Sequence, residues 1–144
     1  MDRTMVLLVD DEVPFVETMT KRLGKRGFHI LKAFNGPQAL EVLDDDDKVD
    51  VVILDVKMPG MDGIETLREI RKRRPLVEVI MLTGHATVET AIEGMRLGAF
   101  DYLMKPCDIE DLSAKVQEAK KKKARHEQKI LEAKAHAIAL RRGD

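Results

Sequence analysis

The fold turns on Val51-Val52-Ile53-Leu54-Asp55-Val56-Lys57-Met58-Pro59-Gly60-Met61-Asp62-Gly63. Val51 to Leu54 are apolar and mostly β-branched, the composition of a strand buried on both faces in a parallel sheet. Asp55 follows where that strand would emerge. Met58-Pro59-Gly60 and Asp62-Gly63 then impose a turn, because proline fixes φ and glycine admits positive φ. A carboxylate is thereby offered at the carboxyl end of a central strand, where open α/β sheets build their sites. Asp55 is the candidate reactive group.

Reading outward, the same unit recurs. Towards the N-terminus, Met5–Val9 is a strand ending in Asp10-Asp11-Glu12, and Val13–Lys25 is a helix with Val13, Val16 and Leu23 on its apolar side, stopped by Gly24 and Gly27. Phe28–Phe34 is a second strand, closed by Asn35-Gly36. Pro37 opens a helix carrying Ala39, Leu40, Val42 and Leu43 and ending in the acidic run Asp44 to Asp47, four like charges that belong in solvent. Towards the C-terminus, Gly63–Arg73 is a helix with Ile64, Leu67 and Ile70 at helical spacing, ended by Pro75. Val77–Leu82 is the fourth strand, leading into Thr83-Gly84-His85. Ala86 or Thr87 opens a helix bearing Val88, Ala91, Ile92, Met95 and Leu97. Ala99–Met104 is the fifth strand, ending in Lys105-Pro106, and Asp108 is the N-cap of a last helix with Ile109, Leu112 and Val116. Five rounds of strand then helix predict a doubly wound (βα)5 α/β fold of flavodoxin-like order 2-1-3-4-5.

A chain of 144 residues fits one domain with an appendage, and 44% hydrophobic with 35% charged residues is a globular composition. No apolar run approaches the roughly 20 residues of a membrane span. The N-terminus has no signal-peptide organisation, and the single Cys107 cannot form an internal disulfide, so a reducing, cytoplasmic setting is expected. The net charge of −1 hides an asymmetry: Ser113 to Asp144 carry ten Lys/Arg and four Asp/Glu, a net of +6, and the rest of the chain is net −7. Either the tail is a basic appendage on an acidic body, or it is a long helix with a lysine-rich solvent face. Glu118 to Leu140 lacks Pro and Gly and continues the last helix. Its 3-4 seam, through Leu112, Val116, Ala119, Lys123, His126, Ile130, Ala133, Ala137 and Leu140, is interrupted by Lys123 and His126, a mediocre coiled coil.

Asp10, Asp11, Asp55, Thr83 and Lys105 all fall at or just beyond strand carboxyl ends and converge on one rim in the predicted order. Three carboxylates there repel one another unless a cation or a proton joins them. Few hard oxygen ligands with room for water suit Mg²⁺ better than zinc. A cation and a hydroxyl facing one aspartate describe phosphoryl transfer to a carboxylate.

Val9-Asp10-Asp11-Glu12, Leu54 to Gly63, Leu82-Thr83-Gly84 and Lys105-Pro106 resemble, in family order, the receiver domains of bacterial two-component response regulators, the CheY-like family. The resemblance covers residues 4–120, with 121–144 left as a basic helical extension. It implies that Asp55 is the phosphoacceptor for a sensor histidine kinase. It further implies that Asp10, Asp11, Asp55 and the backbone carbonyl of Lys57 surround Mg²⁺, with Asp10 acting through water. Lys105 and Thr83 would meet the phosphoryl oxygens, Thr83 and Tyr102 would form the switch, and the Lys105–Pro106 bond would be cis. Output would pass to an effector protein or domain, or through homodimerisation, from the fourth helix, fifth strand and fifth helix. Met95 and Met104 are candidate contacts there. His85 and Lys57 sit where they could tune phosphoryl lifetime.

Plainer readings stand beside these. Asp10-Asp11 could cap a helix, Thr83 a turn, Tyr102 could be edge-strand packing, and His85 and Lys57 ordinary surface residues. A helix like the extended one links receiver to output domain in multidomain activators, so the alternative is a receiver fragment of a longer transcriptional activator. The resemblance implies no enzyme beyond the chain's own phosphorylation and dephosphorylation. An aspartate-nucleophile phosphatase would want an acid where Lys57 stands. DNA binding has only the lysine run behind it, without a reading element.

Overall fold

The computed structural model describes residues 3–142. Five parallel strands, β1 (Met5–Val9), β2 (His29–Ala33), β3 (Val51–Leu54), β4 (Glu78–Thr83) and β5 (Asp101–Met104), form one sheet in the order β2-β1-β3-β4-β5. They alternate with α1 (Val13–Lys25), α2 (Gly36–Asp45), α3 (Gly63–Arg73), α4 (Val88–Arg96) and α5 (Ile109–Arg142). The flavodoxin-like order is the expected one.

The apolar runs work as anticipated. Every residue of β3 and β4 is buried, because helices cover both faces of the sheet. One face packs Leu7, Val9, Val52, Leu54, Val79 and Met81 against Leu40, Leu43, Leu67 and Ile70 of α2 and α3. The other packs Val6, Leu8, Ile53, Ile80 and Leu82 against Val16 and Leu23 of α1 and Leu112 and Val116 of α5. Each such side chain contributes about 1.5–3 kcal/mol by leaving water.

Local chemistry sets the boundaries. Asn35, Asp62 and Thr87 cap α2, α3 and α4, each accepting from the amide three residues on. Asp108 Oδ1 accepts from the Glu110 amide at the head of α5. Several edges differ from the sequence reading. Gly24 lies inside α1, and Gly27, at φ 91°, makes the exit. Val13 is exposed, leaving Val16, Met19 and Leu23 as the inner face of α1. β4 begins one residue late and ends on Thr83, and β5 begins at Asp101, because the α4–β5 turn at Gly98 (φ 97°) takes up Ala99 and Phe100.

The last helix is unbroken across residue 120, so the expected boundary between domain and extension falls within α5; residues 143 and 144 of that extension lie outside the described residues. Among the described residues no helix is long and apolar enough to cross a membrane.

The lysine run is not a bare solvent face. α5 descends past the amino-terminal ends of β3 and β4, where Lys123, buried, lies 3.3 Å from Asp50 Oδ1, Lys120 3.8 Å from Asp50 Oδ2, and Lys122 3.5 Å from the buried Glu78 carboxylate. Asp50 Oδ2 also accepts from the Met5 amide at 2.9 Å. Beyond Lys123 the helix passes Leu76 at Glu127, Ile130 and Leu131, and Ile130, Leu131, Ile138 and Leu140 are exposed.

Candidate functional site

The carboxyl ends of β1, β3, β4 and β5 meet on one rim, and the short segments leaving them carry the candidate side chains. Parallel pairing sets Val9 beside Leu54 and Thr83 beside Met104, so the residues that follow come out side by side. The Asp10 amide donates to Ala33 O, the Asp55 amide to Val9 O and the Lys105 amide to Thr83 O, extending the ladder into the site. Among the described residues, Asp10, Asp11 and Asp55 are the carboxylates brought together: each offers an oxygen within 4.8 Å of the others. Asp10 and Asp55 are buried and Asp11 is exposed.

Hydrogen bonds orient the two buried acids. Asp10 Oδ1 accepts from the Glu12 amide at 3.0 Å, and Asp55 Oδ1 accepts from the Val56 amide at 2.8 Å. Glu12, not the aspartate pair, is the N-cap of α1, and its side chain makes no capping bond. The other oxygens face Lys105, whose Nζ stands 2.7 Å from Asp10 Oδ2, 3.4 Å from Glu12 Oε1 and 4.0 Å from Asp55 Oδ2. The ammonium also lies 4.0 Å from the centre of the Phe15 ring. Burial pushes the Asp10 carboxyl above its ordinary range; Lys105 and the Glu12 amide pull the other way without prevailing. Burial alone would lower the Lys105 ammonium, but its hydrogen bond to Asp10 and the charges of Asp10, Asp55 and Glu12 hold it above its usual value. The two directions agree physically, since Asp10 is the more deeply buried partner.

The Lys105–Pro106 peptide bond is cis. Thr83 is fully buried at the end of β4, with its Oγ1 accepting from the His85 amide at 3.0 Å. Tyr102 stands apart from the acids: it is half-buried against α4, with its hydroxyl 2.6 Å from Thr90 Oγ1. A cleft of about 450 Å³ opens beside the acids, lined by Asp11, Glu12, Lys57, Met58, Pro59 and His85. Glu12 and Phe15, both touching Lys105, and Thr90 were not singled out in the sequence. Glu12 adjoins the aspartate pair and could have been, whereas Phe15 and Thr90 look like ordinary helix residues.

Three carboxylates with neither imidazole nor thiolate among them, one of them open to solvent, form a hard-oxygen donor set suited to Mg²⁺.

The sequence profile described as the response regulator receiver domain matches residues 6–117. Over 126 residues the chain is 41% identical to the regulatory protein AtoC of Escherichia coli K12, covering 84% of this chain and 27% of AtoC. It is 37% identical over 119 residues to the DNA-binding transcriptional regulator NtrC of the same organism, covering 83% of this chain and 25% of NtrC. The chain thus spans about a quarter of the length of these relatives. A crystal structure of a receiver domain protein from Clostridium thermocellum superposes with a TM-score of 0.81 at 37% identity, covering 84% of this chain and 97% of that one. With the strand order, the rim of acids and these matches in agreement, the chain belongs to the response regulator receiver domain family.

Proposed function

We propose that Asp55 is the phosphoacceptor of this signalling switch. The observation that carries the reading is the gathering of Asp10, Asp11 and Asp55 within 4.8 Å, with the Lys105 ammonium 4.0 Å from Asp55. One Asp55 carboxylate oxygen attacks the phosphorus of a phosphohistidine on a sensor kinase. The P–N bond breaks as the P–O bond forms, and the electron pair leaves on the kinase imidazole. Asp10 and Asp11 with Asp55, and the Lys57 carbonyl by resemblance, would hold Mg²⁺, which when bound offsets the charge of acceptor and phosphate so that anion can approach anion. Lys105 supplies positive charge from the other side and trades part of its contact with Asp10 for the phosphoryl oxygens. Thr83 exchanges its bond from the His85 amide for donation to a phosphoryl oxygen, carrying its loop inward and leaving space for the Tyr102 ring. Hydrolysis of the acyl phosphate resets the switch, and Lys57 and His85 at the cleft mouth tune its rate. Such a cycle, fed by a cytoplasmic kinase, gives the chain no other enzymatic role.

The test is incubation with acetyl phosphate, with and without Mg²⁺, read by intact mass. The native chain gains one phosphoryl mass with Mg²⁺, and Asp55→Asn gains none. A gain that persists in the Asn form refutes the assignment.

For output, the long α5 with exposed Ile130, Leu131, Ile138 and Leu140 favours pairing with a second copy or continuation into an output domain, as in a longer activator. An oligomeric state unchanged when the chain is cut after Glu127 removes the pairing. The lysine run lends DNA binding little, because Lys120, Lys122 and Lys123 face Asp50 and Glu78.

A further inference from the structure

Thr90 is the third residue of α4, and its hydroxyl joins two structures. It completes a capping box, in which the Thr90 amide donates to Thr87 Oγ1 at 3.1 Å and the Thr87 amide donates to Thr90 Oγ1 at 3.2 Å. The same oxygen lies 3.1 Å from Thr87 O, 2.9 Å from Thr87 Oγ1 and 2.6 Å from the Tyr102 hydroxyl on β5. A hydroxyl has one hydrogen and two acceptor positions. Four polar neighbours thus share those positions, and the contact with the Tyr102 hydroxyl is the shortest of the four. One turn further along, a Cβ placed on Gly94 would stand 3.6 Å from Tyr102 Cδ2, so the ring lies along the Thr90–Gly94 face of α4. Gly84, His85 and Ala86 alone separate Thr83 from the cap residue Thr87.

We propose that Thr90 is a positioning residue: its hydroxyl holds Tyr102 in the resting orientation and ties the ring to the first turn of α4. The inference rests on the switching roles proposed above for Thr83 and Tyr102. When the Thr83 loop moves inward and the ring follows, Tyr102 withdraws its hydroxyl from Thr90, and the cap of α4 loses one of its supports. The first turn of a helix lying beside exposed Ile92 and Met95 thus becomes responsive to the acid pocket without touching it. The bond exists only in the resting arrangement, so its removal shifts the population towards the switched one. A single net hydrogen bond corresponds to a shift of about 2- to 10-fold.

The experiment uses the full chain with Thr90→Val, Thr90→Ser, Tyr102→Phe and the Thr90→Val/Tyr102→Phe double variant. Amide exchange across residues 84–96 is followed without phosphodonor, and phosphoryl uptake from acetyl phosphate with Mg²⁺ is followed by intact mass. Tyr102→Phe, which removes one oxygen on another strand, speeds exchange of the first-turn amides of α4 by about 2- to 10-fold. Thr90→Val and Tyr102→Phe each speed phosphoryl uptake by a similar factor, the double variant adds nothing to Thr90→Val, and Thr90→Ser behaves as the native chain. Because Tyr102 is the only tyrosine and tryptophan is absent, emission at the tyrosine band changes in Thr90→Val and not in Thr90→Ser. Unchanged α4 exchange in Tyr102→Phe, or fully additive effects in the double variant, overturns the proposal and leaves Thr90 a local cap. Exchange in the unphosphorylated chain judges the clamp by itself, whereas a native chain that gains no phosphoryl mass overturns the Asp55 assignment instead.

Discussion

Lys105 Nζ lies 2.7 Å from Asp10 Oδ2, closer than to Asp55 at 4.0 Å. The lysine of the pocket is thus the nearest counter-ion of a metal-binding candidate. One ammonium among Asp10, Asp11 and Asp55 leaves the pocket with excess negative charge, and Asp10 bears much of the cost because burial raises its carboxyl above the ordinary range. An acid whose folded pKa is raised costs stability at pH values above that pKa, and the cost disappears as pH falls below the ordinary aspartate value. Asp10→Asn is therefore expected to stabilise the chain by about 1 kcal/mol at neutral pH in EDTA, with the gain shrinking on acidification. Lys105 keeps Glu12 and Asp55 as partners, so it is not stranded. Added Mg²⁺ should raise the Tm of the native chain and do so far less in Asp10→Asn. Thermal melts across pH, with and without Mg²⁺, check this; a variant less stable than native in EDTA at neutral pH contradicts it.

Gly63 is where the loop after Asp55 closes. Its amide donates to Val56 O at 2.7 Å, and a Cβ there would stand 2.0 Å from Asp55 O and 2.6 Å from Val56 Cα. Both obstacles are backbone of the residues that aim the candidate phosphoacceptor, so neither yields cheaply. Gly63→Ala is expected to cost about 1–3 kcal/mol in urea unfolding and to depress phosphoryl uptake together with stability. A variant with native uptake and native midpoint would show that the loop has room the geometry denies.

The fold was legible in the sequence because β1, β3 and β4 are covered on both faces, which demands unbroken apolar runs each followed by a polar residue at the rim. The edge strand was harder to bound: in β5 only half-buried Asp101, Tyr102 and Leu103 and exposed Met104 remain, and burial marks its start poorly. Asp10, Asp11, Asp55 and Lys105 were legible for a topological reason, since parallel strands deliver all their carboxyl ends to one side. Thr90 was not, because a threonine at the third helical position signals a cap and gives no sign of a tyrosine twelve residues away. The lysine run misled for the same kind of reason. Lys123 breaks the apolar seam in sequence, yet it is buried against Asp50, a partner that only the path of α5 along the sheet supplies.

Cys107 follows the cis Lys105–Pro106 bond and is half-buried, with Sγ 3.6 Å from Asp108 O. Burial pushes its thiol up first, and the charges of Asp111 and Asp108 push in the same direction. A raised thiol pKa means less thiolate at any given pH below it, hence slower alkylation. Iodoacetamide should modify the native chain more slowly than an unhindered cysteine peptide between about pH 7 and 9, and Asp111→Asn should speed the reaction about twofold by removing one repelling charge. Alkylation at the peptide rate would show the thiol to be open and unperturbed.

Asp50 anchors the other end of the sheet. It accepts from the Met5 amide at 2.9 Å and faces Lys123 at 3.3 Å and Lys120 at 3.8 Å, so strand β1 and helix α5 share one carboxylate. Asp50→Ala leaves a part-buried amide without its acceptor and deprives the buried Lys123 of its sheet-side partner, with only Glu127 of its own helix, at 3.2 Å, to turn to. The expected cost is about 2–4 kcal/mol. Lys120→Ala removes an ammonium that is one-third exposed and should cost less than about 1 kcal/mol. The contrast is what identifies a clamp: a merely charged surface would make the two losses alike and abolish both at high salt. Urea midpoints of the two variants at low and high ionic strength decide it. Amide exchange should also rise in α5 around residues 119–127 in Asp50→Ala while α1 stays protected, because the anchor holds only the stretch of α5 that passes β3.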